Sequence, residues 1–252
     1  LIISKVTLTA LKQIEERVFL LKCHSAELAK SFKPGQFANI RVSDGMYPLL
    51  RRPFSISDVE GDEVSFMIAI HGEGTAQLCG KKPGDLLDLI APLGNGFNID
   101  DEYDLHIILA GGIGAAPFPL LTRKLAYKKL ITYSGGKTGR EVITYGLNEP
   151  RIATDDGSAG FKGNVVDYFR SELGEYRNLK TKVYACGPNA MLRSVKQLLE
   201  NEGIDGEIST ESAMACGFGI CQGCPVEKSV DDGRYLLICK DGPVFNAREV
   251  AI

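Results

Sequence analysis

Hydrophobic and polar positions change rhythm along the 252-residue chain. Up to about Phe97 the apolar residues come in short runs: Lys5–Ala10, Val18–Cys23, Phe37–Val42, Phe54–Ser57, Val64–Ile70 and Leu86–Ile90. Between them lie Lys33-Pro34-Gly35-Gln36, Ser43-Asp44-Gly45, Glu60-Gly61-Asp62 and Lys82-Pro83-Gly84-Asp85, residues that accept turn geometry or cap it. Short strands with regular turn punctuation predict a small antiparallel β-barrel. Near Asp101 the pattern shifts. Leu105–Ala110 is unbroken apolar sequence, as expected of a parallel strand covered on both faces. It runs into Gly111-Gly112-Ile113-Gly114-Ala115-Ala116-Pro117 and a helical stretch to about Tyr127. Further strands are expected at Leu130–Tyr133, Arg151–Thr154, Thr181–Ala185 and Gly206–Thr210. Helical stretches separate them, the clearest being Pro188–Glu202 with apolar Met191, Leu192, Val195, Leu198 and Leu199. This alternation predicts a doubly wound parallel α/β sheet. Past Thr210 glycines and cysteines dominate, followed by a hairpin of Pro225–Lys228 and Arg234–Ile238 around Asp231-Asp232-Gly233. The expected units are 1–99, 100–209 and 210–252.

Composition narrows the class. With 44% hydrophobic and 24% charged residues the chain reads as an ordinary globular protein. Its net charge of −3 and scattered Lys and Arg give no footprint for nucleic acid. No apolar run reaches the roughly 18–20 residues of a membrane span, and no signal-peptide pattern opens the chain. It begins on Leu1, which leaves room for residues ahead of it. Seven cysteines without a secretion signal fit a reducing cytoplasm, the expected location.

Three of those cysteines stand in Cys216-Gly-Phe-Gly-Ile-Cys221-Gln-Gly-Cys224, and a fourth, Cys239, follows after fourteen intervening residues. This is the C-x4-C-x2-C…C spacing of a plant-type [2Fe-2S] cluster, and makes Cys216, Cys221, Cys224 and Cys239 its candidate ligands. Gly217, Gly219 and Gly223 permit the tight turns and close backbone approach that such a loop needs. A tetrahedral zinc site prefers two close Cys pairs, and the fourth cysteine lacks a near partner; disulfides lack an oxidising context.

Two other segments carry chemistry. Arg51-Arg52-Pro53-Phe54-Ser55-Ile56 sets guanidinium and hydroxyl groups on an otherwise apolar strand, and a bidentate Arg suits a pyrophosphate. His71-Gly72-Glu73-Gly74-Thr75-Ala76 reads as a loop entering a helix, where Gly and Thr serve either as an ordinary cap or as donors to an anion. The glycine loop at 111–117 departs from the strict dinucleotide fingerprint, with Pro117 at the third glycine and no acid after the next strand. It nevertheless falls at a strand C-terminus, as do Thr154–Ser158 and Ala185–Pro188, where open α/β sheets bind ligands. The three histidines are dispersed, His106 within an apolar strand and His71 beside a turn, so no catalytic base is assigned.

Together these segments resemble the ferredoxin-reductase type of flavoprotein. The resemblance implies FAD on the barrel, with Arg52, Gly74 and Thr75 at its pyrophosphate and Pro53, Phe54, Ser55, Met67, Ile68 and Ala69 against the flavin. Phe54 stands where that family has Tyr, which preserves ring stacking and removes a hydroxyl. Pro92–Phe97 resembles the hinge out of the barrel. The resemblance also places Gly112 and Gly114 at a nicotinamide dinucleotide, and Cys186, Gly187 and Pro188 near the nicotinamide; a buried structural role for Cys186 is the alternative. NAD is favoured by resemblance, although Lys137 and Arg140 are suited to a 2′-phosphate.

With the C-terminal C-x4-C-x2-C-x14-C ending in Cys239-Lys-Asp-Gly-Pro-Val-Phe245, the whole chain is similar to the electron-transfer subunits of NAD-linked dihydroorotate dehydrogenase type B. The resemblance implies a relay between an FMN-containing dihydroorotate dehydrogenase catalytic subunit and NAD+, in a hetero-oligomer with two copies of each, in pyrimidine (UMP) biosynthesis. The alternative is the small flavin/iron-sulfur subunit of an NADH-dependent ferredoxin:NADP oxidoreductase or a sulfide dehydrogenase.

Overall fold

The computed structural model describes residues 2–43, 45–100, 102–230 and 233–252; the expected turn at Asp44, the change of rhythm at Asp101 and the hairpin tip at Asp231–Asp232 lie outside them. Strands β1 (Ile2–Glu15), β2 (Val18–His24), β3 (Phe37–Ile40), β4 (Arg52–Glu60), β5 (Glu63–Ala69) and β6 (Leu86–Leu93) close an antiparallel barrel in the order β1-β2-β5-β4-β3-β6. β1 is longer than its apolar run because it serves two neighbours in turn. Ile2–Thr7 pair with β6, and Thr7–Glu15 pair with β2 through two register shifts.

Alternation decides which side chains fill the barrel. On β5, Val64, Phe66 and Ile68 point into its core, while Ser65, Met67 and Ala69 face outward. Helix α1 (Ala26–Ser31) was not anticipated from the pattern. Ser25 caps it by accepting from the Leu28 N–H, and Leu28 and Phe32 join the barrel core, where Phe32 meets Phe66 edge-on at 6.1 Å. Helix α2 (Glu73–Cys79) follows β5.

The second unit has β7 (Leu105–Gly111), β8 (Leu130–Gly136), β9 (Arg151–Thr154), β10 (Phe161–Lys162), β11 (Thr181–Cys186) and β12 (Asp205–Ser209), all parallel. Helices α3 (Phe118–Lys124), α4 (Val165–Glu172) and α5 (Asn189–Glu202) cover them. Every residue of β7 is buried because both faces are covered. Leu105, Ile107 and Leu109 pack with Phe169 of α4 and Leu192 and Val195 of α5, whereas Ile108 and Ala110 pack with Phe118 and Leu121 of α3. His106 shares the second face, its Nδ1 3.2 Å from Tyr184 Oη and its ring stacked on that tyrosine, a core role as expected.

The glycine loop lies between β7 and α3, where it was expected. Gly112–Ala115 forms a 3₁₀ turn and α3 starts only at Phe118, because Gly112 takes φ +53, which breaks an α-helical start.

After β12 come a hairpin of β13 (Pro225–Glu227) and β14 (Tyr235–Leu237), helix α6 (Ile238–Asp241) and β15 (Val244–Asn246). β15, absent from the sequence reading, pairs antiparallel with β12 and completes the sheet order β10-β9-β8-β7-β11-β12-β15. The cysteine segment therefore leaves the sheet at Thr210 and returns beside its own exit, where the Thr210 N–H donates to Pro243 O at 2.9 Å.

Barrel and sheet share one apolar cluster. Val18, Met67 and Phe97 pack with Ile108, Phe118, Tyr184 and Cys186, and Phe97 stacks on Phe118 at 5.7 Å while meeting Tyr184 edge-on at 5.4 Å. Each such aromatic pair adds about 0.5–1.5 kcal/mol beyond its buried area. Arg123 of α3 clasps Asp58 and Glu60 of β4, its Nε 3.0 Å from Asp58 Oδ1. Among the described residues, no helix is long and apolar enough to cross a membrane.

Candidate functional site

Two concavities and a cysteine loop carry the candidate chemistry. The first is a cleft between barrel and sheet. One wall is Arg52, Pro53, Phe54 and Ser55 of β4 with Met67 and Ala69 of β5, His71 and Thr75; the other is Ile113, Ala116 and Ser209–Ser212, with Met214 and Pro243. Arg52 is held in place by donating from Nη1 to Leu50 O at 2.7 Å and Arg51 O at 3.3 Å, which leaves Nη2 for a ligand. Gly74 lies beneath it, and an added Cβ there would come within 3.7 Å of Arg52 Nε and 3.3 Å of Val42 Cγ2.

Thr75 acts as a cap. Its Oγ1 accepts from the His71 and Gly72 N–H groups at 3.0 and 3.2 Å and donates to Gly72 O at 2.9 Å. Ile68, grouped with Met67 and Ala69 at the sequence level, turns into the barrel core and lines no part of the cleft. Strand parity is the reason.

Glu211 was not singled out from the sequence. It is open to this cleft, yet burial of its carboxyl by the surrounding walls pushes it above the ordinary value, and His71 pulls it back.

A second pocket opens at the C-terminal edge of the sheet. Gly111 and Gly112 at the end of β7, Gly135, Gly136 and Lys137 at the end of β8, Asp155 after β9, Pro188 and Met191 after β11, and Glu141 line it. Strand order reverses between β7 and β11, the switch point where such sheets bind ligands. The approach there is close: a Cβ on Gly187 would lie 3.2 Å from Gly111 Cα and 2.9 Å from Met191 Sδ. Gly112, with nothing within 4 Å of an added Cβ, faces open space. Gly114 does not reach the pocket and instead packs on the Cys186–Gly187 backbone.

Cys186 is buried in the shared cluster, and burial pushes its thiol well above the ordinary value of 9.0 against a weaker opposing hydrogen bond from Ser209. Its surroundings are those of a packed structural thiol. Carboxylates do reach this pocket, from Glu141, whose Oε2 accepts the Lys137 N–H at 3.3 Å, and from Asp155. Neither occupies the place at the strand end where an acid was sought. The 3₁₀ turn Gly139–Glu141 carries the first one back.

The third feature is the cysteine loop. Gly217 and Gly219 take φ +81 and +89, and the loop curls so that its N–H groups meet sulfur. The Gly219 N–H donates to Cys239 Sγ at 3.1 Å, that of Cys221 to Cys216 Sγ at 3.4 Å, and that of Cys239 to Cys224 Sγ at 3.4 Å. Desolvation pushes Cys216 upward, but the Cys221, Phe218 and Ile220 N–H groups and the Cys221 thiol outweigh it and bring it to about 6. Cys239 goes the other way, to about 12, through burial and the hydrogen bond and charge of Cys224.

The four thiols are free and stand as two neighbouring pairs, 216 with 221 and 224 with 239; Cys221 is exposed, Cys224 and Cys239 buried. Among the described residues no three His, Cys, Asp or Glu side chains converge as ligands of one ion. Two thiol pairs with N–H donors aimed at sulfur fit a binuclear iron–sulfur cluster.

Comparison with known proteins agrees with this geometry. Residues 211–251 match the iron-sulfur cluster binding domain of dihydroorotate dehydrogenase B. Over 261 aligned residues the chain is 35% identical to the dihydroorotate dehydrogenase B (NAD(+)) electron transfer subunit of Bacillus velezensis, covering 99% of both. It is 37% identical over 220 residues, 86% of each chain, to the subunit of the same name from Caldanaerobacter subterraneus. The chain belongs to the family of dihydroorotate dehydrogenase B electron transfer subunits. Its fold also matches a chain from the structure of an NADH-dependent reduced ferredoxin-NADP oxidoreductase, with a TM-score of 0.86 and 28% identity over 98% of this chain and 89% of that one.

The family explains why the segment after β12 matters. Glu211, Ser212 and Met214 line the first cleft, and two residues after Met214 the loop begins at Cys216. No local pattern marks these residues. Their proximity to β4 depends on β12 ending at the sheet's upper edge beside the barrel.

Proposed function

We propose that this chain relays electrons between an FMN-containing dihydroorotate dehydrogenase catalytic subunit and NAD+, in the cytoplasm, in pyrimidine biosynthesis. Arg52–Ser55, Met67, Ala69, Gly74 and Thr75 would hold FAD in the first cleft. Gly112 and Pro188 would admit the dinucleotide to the second pocket, and the four cysteines would ligate a [2Fe-2S] cluster. Bound flavin exchanges a hydride with nicotinamide and single electrons with an iron–sulfur cluster, which makes it the converter between them.

One observation carries the reading. The three sites adjoin along the chain: Ile113 and Ala116 face the cleft while the preceding Gly111 and Gly112 face the pocket, and Met214 in the cleft lies two residues before Cys216.

The residues divide the work. Arg52 offers Nη2 to a pyrophosphate and is oriented by the Leu50 and Arg51 carbonyls. Phe54, half-buried against the barrel core, presents a ring without a hydroxyl. Met67, buried in the shared cluster, closes the cleft floor and excludes water. In the second pocket Glu141 and Asp155 would accept from a ribose hydroxyl and oppose a 2′-phosphate, while Lys137 on the same lining would attract one; two carboxylates against one ammonium favour NAD over NADP. Partner docking would use the cluster loop, where Ile220 is 76% exposed, in an assembly with two copies of each subunit.

Anaerobic titration with NADH tests the reading. Flavin absorbance should bleach near stoichiometrically and a one-electron EPR signal should follow. Absence of both flavin and cluster after reconstitution with FAD, iron and sulfide would overturn it. A second reading, the small subunit of an NADH-dependent ferredoxin:NADP oxidoreductase, draws on the 0.86 TM-score. Co-expression with an FMN dihydroorotate oxidase decides: stable co-purification supports the first reading and excludes the second.

A further inference from the structure

Asn39 is out of keeping with its place. It is fully buried on β3 between apolar Ala38 and Ile40. Its Nδ2 donates to Cys216 O at 3.0 Å, across the junction between barrel and cysteine loop. A Cβ on Gly217 would come 2.6 Å from that Nδ2, so the contact depends on glycine. The carbonyl acceptor settles which way the amide is turned, and Oδ1 is then buried with no hydrogen-bond partner among the described residues. A buried, unpaired amide oxygen lowers stability, and a leucine of similar size would avoid that cost. Stability alone therefore does not account for asparagine here.

Its neighbours supply the reason. Across the ladder Asn39 pairs with Pro53, which lines the first cleft. Phe37, two residues earlier on the same face of β3, also lines that cleft. Two residues of strand span about 7 Å. Asn39 thus lies between the cleft and the cysteine loop, and its hydrogen bond holds the peptide that follows the first cluster cysteine.

We propose that Asn39 is a positioning residue for electron exchange: by pinning the Cys216 carbonyl to β3, it sets the placement of the cluster relative to the flavin cleft. This rests on the function proposed above. The exchange breaks no bond. One electron is lost on the cluster side and one gained on the flavin side, and two exchanges with one solvent proton make up the hydride equivalent that NAD+ accepts. With the strut in place, the Cys221 N–H is held on Cys216 Sγ at 3.4 Å. Without it, the loop is tied to the barrel wall less directly and that alignment loosens.

The test uses the full chain loaded anaerobically with FAD, iron and sulfide, mixed with NADH and followed by stopped-flow absorbance and rapid-freeze EPR. In Asn39→Leu the flavin should bleach at the wild-type rate with an unchanged Kd for NADH. The cluster signal should rise at least tenfold more slowly and with altered g-values. Gly217→Ala, which pushes on the same hydrogen bond from the loop side, should slow the cluster phase in the same way; it supplies the answer if Asn39→Leu does not accumulate. Wild-type cluster kinetics and g-values in these variants would overturn the proposal, as would a lowered melting temperature with both readouts unchanged, which would mark a purely structural residue. A wild-type chain with no cluster signal would overturn both this proposal and the functional reading, and is recognised because it needs no variant.

Discussion

Gly114 offers the sharpest test of how the sheet builds its ligand edge. An ideal Cβ on Gly114 would lie 2.5 Å from Cys186 C and 2.6 Å from Gly187 N. Both are backbone atoms, so no flexible side chain can swing aside. Gly114 does not have a positive φ, and alanine costs nothing there through its own dihedrals. The whole penalty of Gly114→Ala is therefore steric. To restore the 3.4 Å of an ordinary contact, the 3₁₀ turn must move away from the end of β11. Ala110 and Cys186 are register partners in the ladder just below, which resists that movement. Forcing a methyl into a filled site costs about 1–3 kcal/mol. For a chain of this size each kcal/mol lowers Tm by roughly 2–4 °C, so a loss of about 4–8 °C is expected at the middle of that range.

Gly112→Ala is the matched control. Nothing lies within 4 Å of its Cβ, but φ is +53, and a left-handed alanine costs about 1–2 kcal/mol. Its methyl would project toward the second pocket, so beside the Tm loss from that backbone cost it should raise the Kd for NADH about tenfold, near 1.4 kcal/mol. Scanning calorimetry of the flavin-loaded chain and NADH titration read both variants. A Gly114→Ala protein that melts within a degree of wild type would refute the steric argument, since no rearrangement short of separating the two strand ends relieves the contact.

Three further outcomes are expected. Arg52→Ala should release FAD on gel filtration, with the flavin-to-protein ratio falling at least fivefold while iron and sulfide still load; retention at the wild-type ratio would remove Arg52 from the site. Burial, opposed by Lys182, holds the Glu207 carboxyl above 4.5. Its ionised form therefore costs stability above the folded pKa, and the cost disappears as pH falls through that value towards 4.5. Glu207→Gln should accordingly melt higher than wild type at pH 8 and lose that advantage by pH 5, Lys182 keeping its 2.9 Å bond to Asn98 O; a lower Tm at pH 8 contradicts this. Ile220→Glu should weaken co-purification with the catalytic subunit at unchanged Tm, whereas Phe218→Glu, half-buried against the main core, should lower Tm as well; full retention of partner by Ile220→Glu would exclude this loop as the docking surface.

What could be read from the chain was what is local. The cysteine spacing is legible because the loop that carries three of the thiols is a single short turn whose glycines must adopt φ +81 and +89. Barrel strands and the β7 run are legible because burial on one or two faces imposes its own period. Ile68 shows the limit of reading a strand as a block: the alternation that identified β5 also sends this residue inward, away from Met67 and Ala69. β15 was missed because three residues after a proline have too little pattern of their own and are defined by pairing with β12.

Asn39, Glu141 and Glu211 belong to a further class, since each matters through what a distant segment brings to it. Asn39 sits 177 residues from Cys216 in sequence and 3.0 Å from it in space. From this follows the arrangement of the whole chain. The flavin strand, the glycine turn and the cysteine loop are contributed by three parts of the sequence that share almost no local signal. They meet because β12 ends beside the barrel and β15 returns the cysteine segment to the same edge. A relay needs that closure more than it needs any single ligand. Substitutions that loosen the seam should separate flavin reduction from cluster reduction before they unfold either unit.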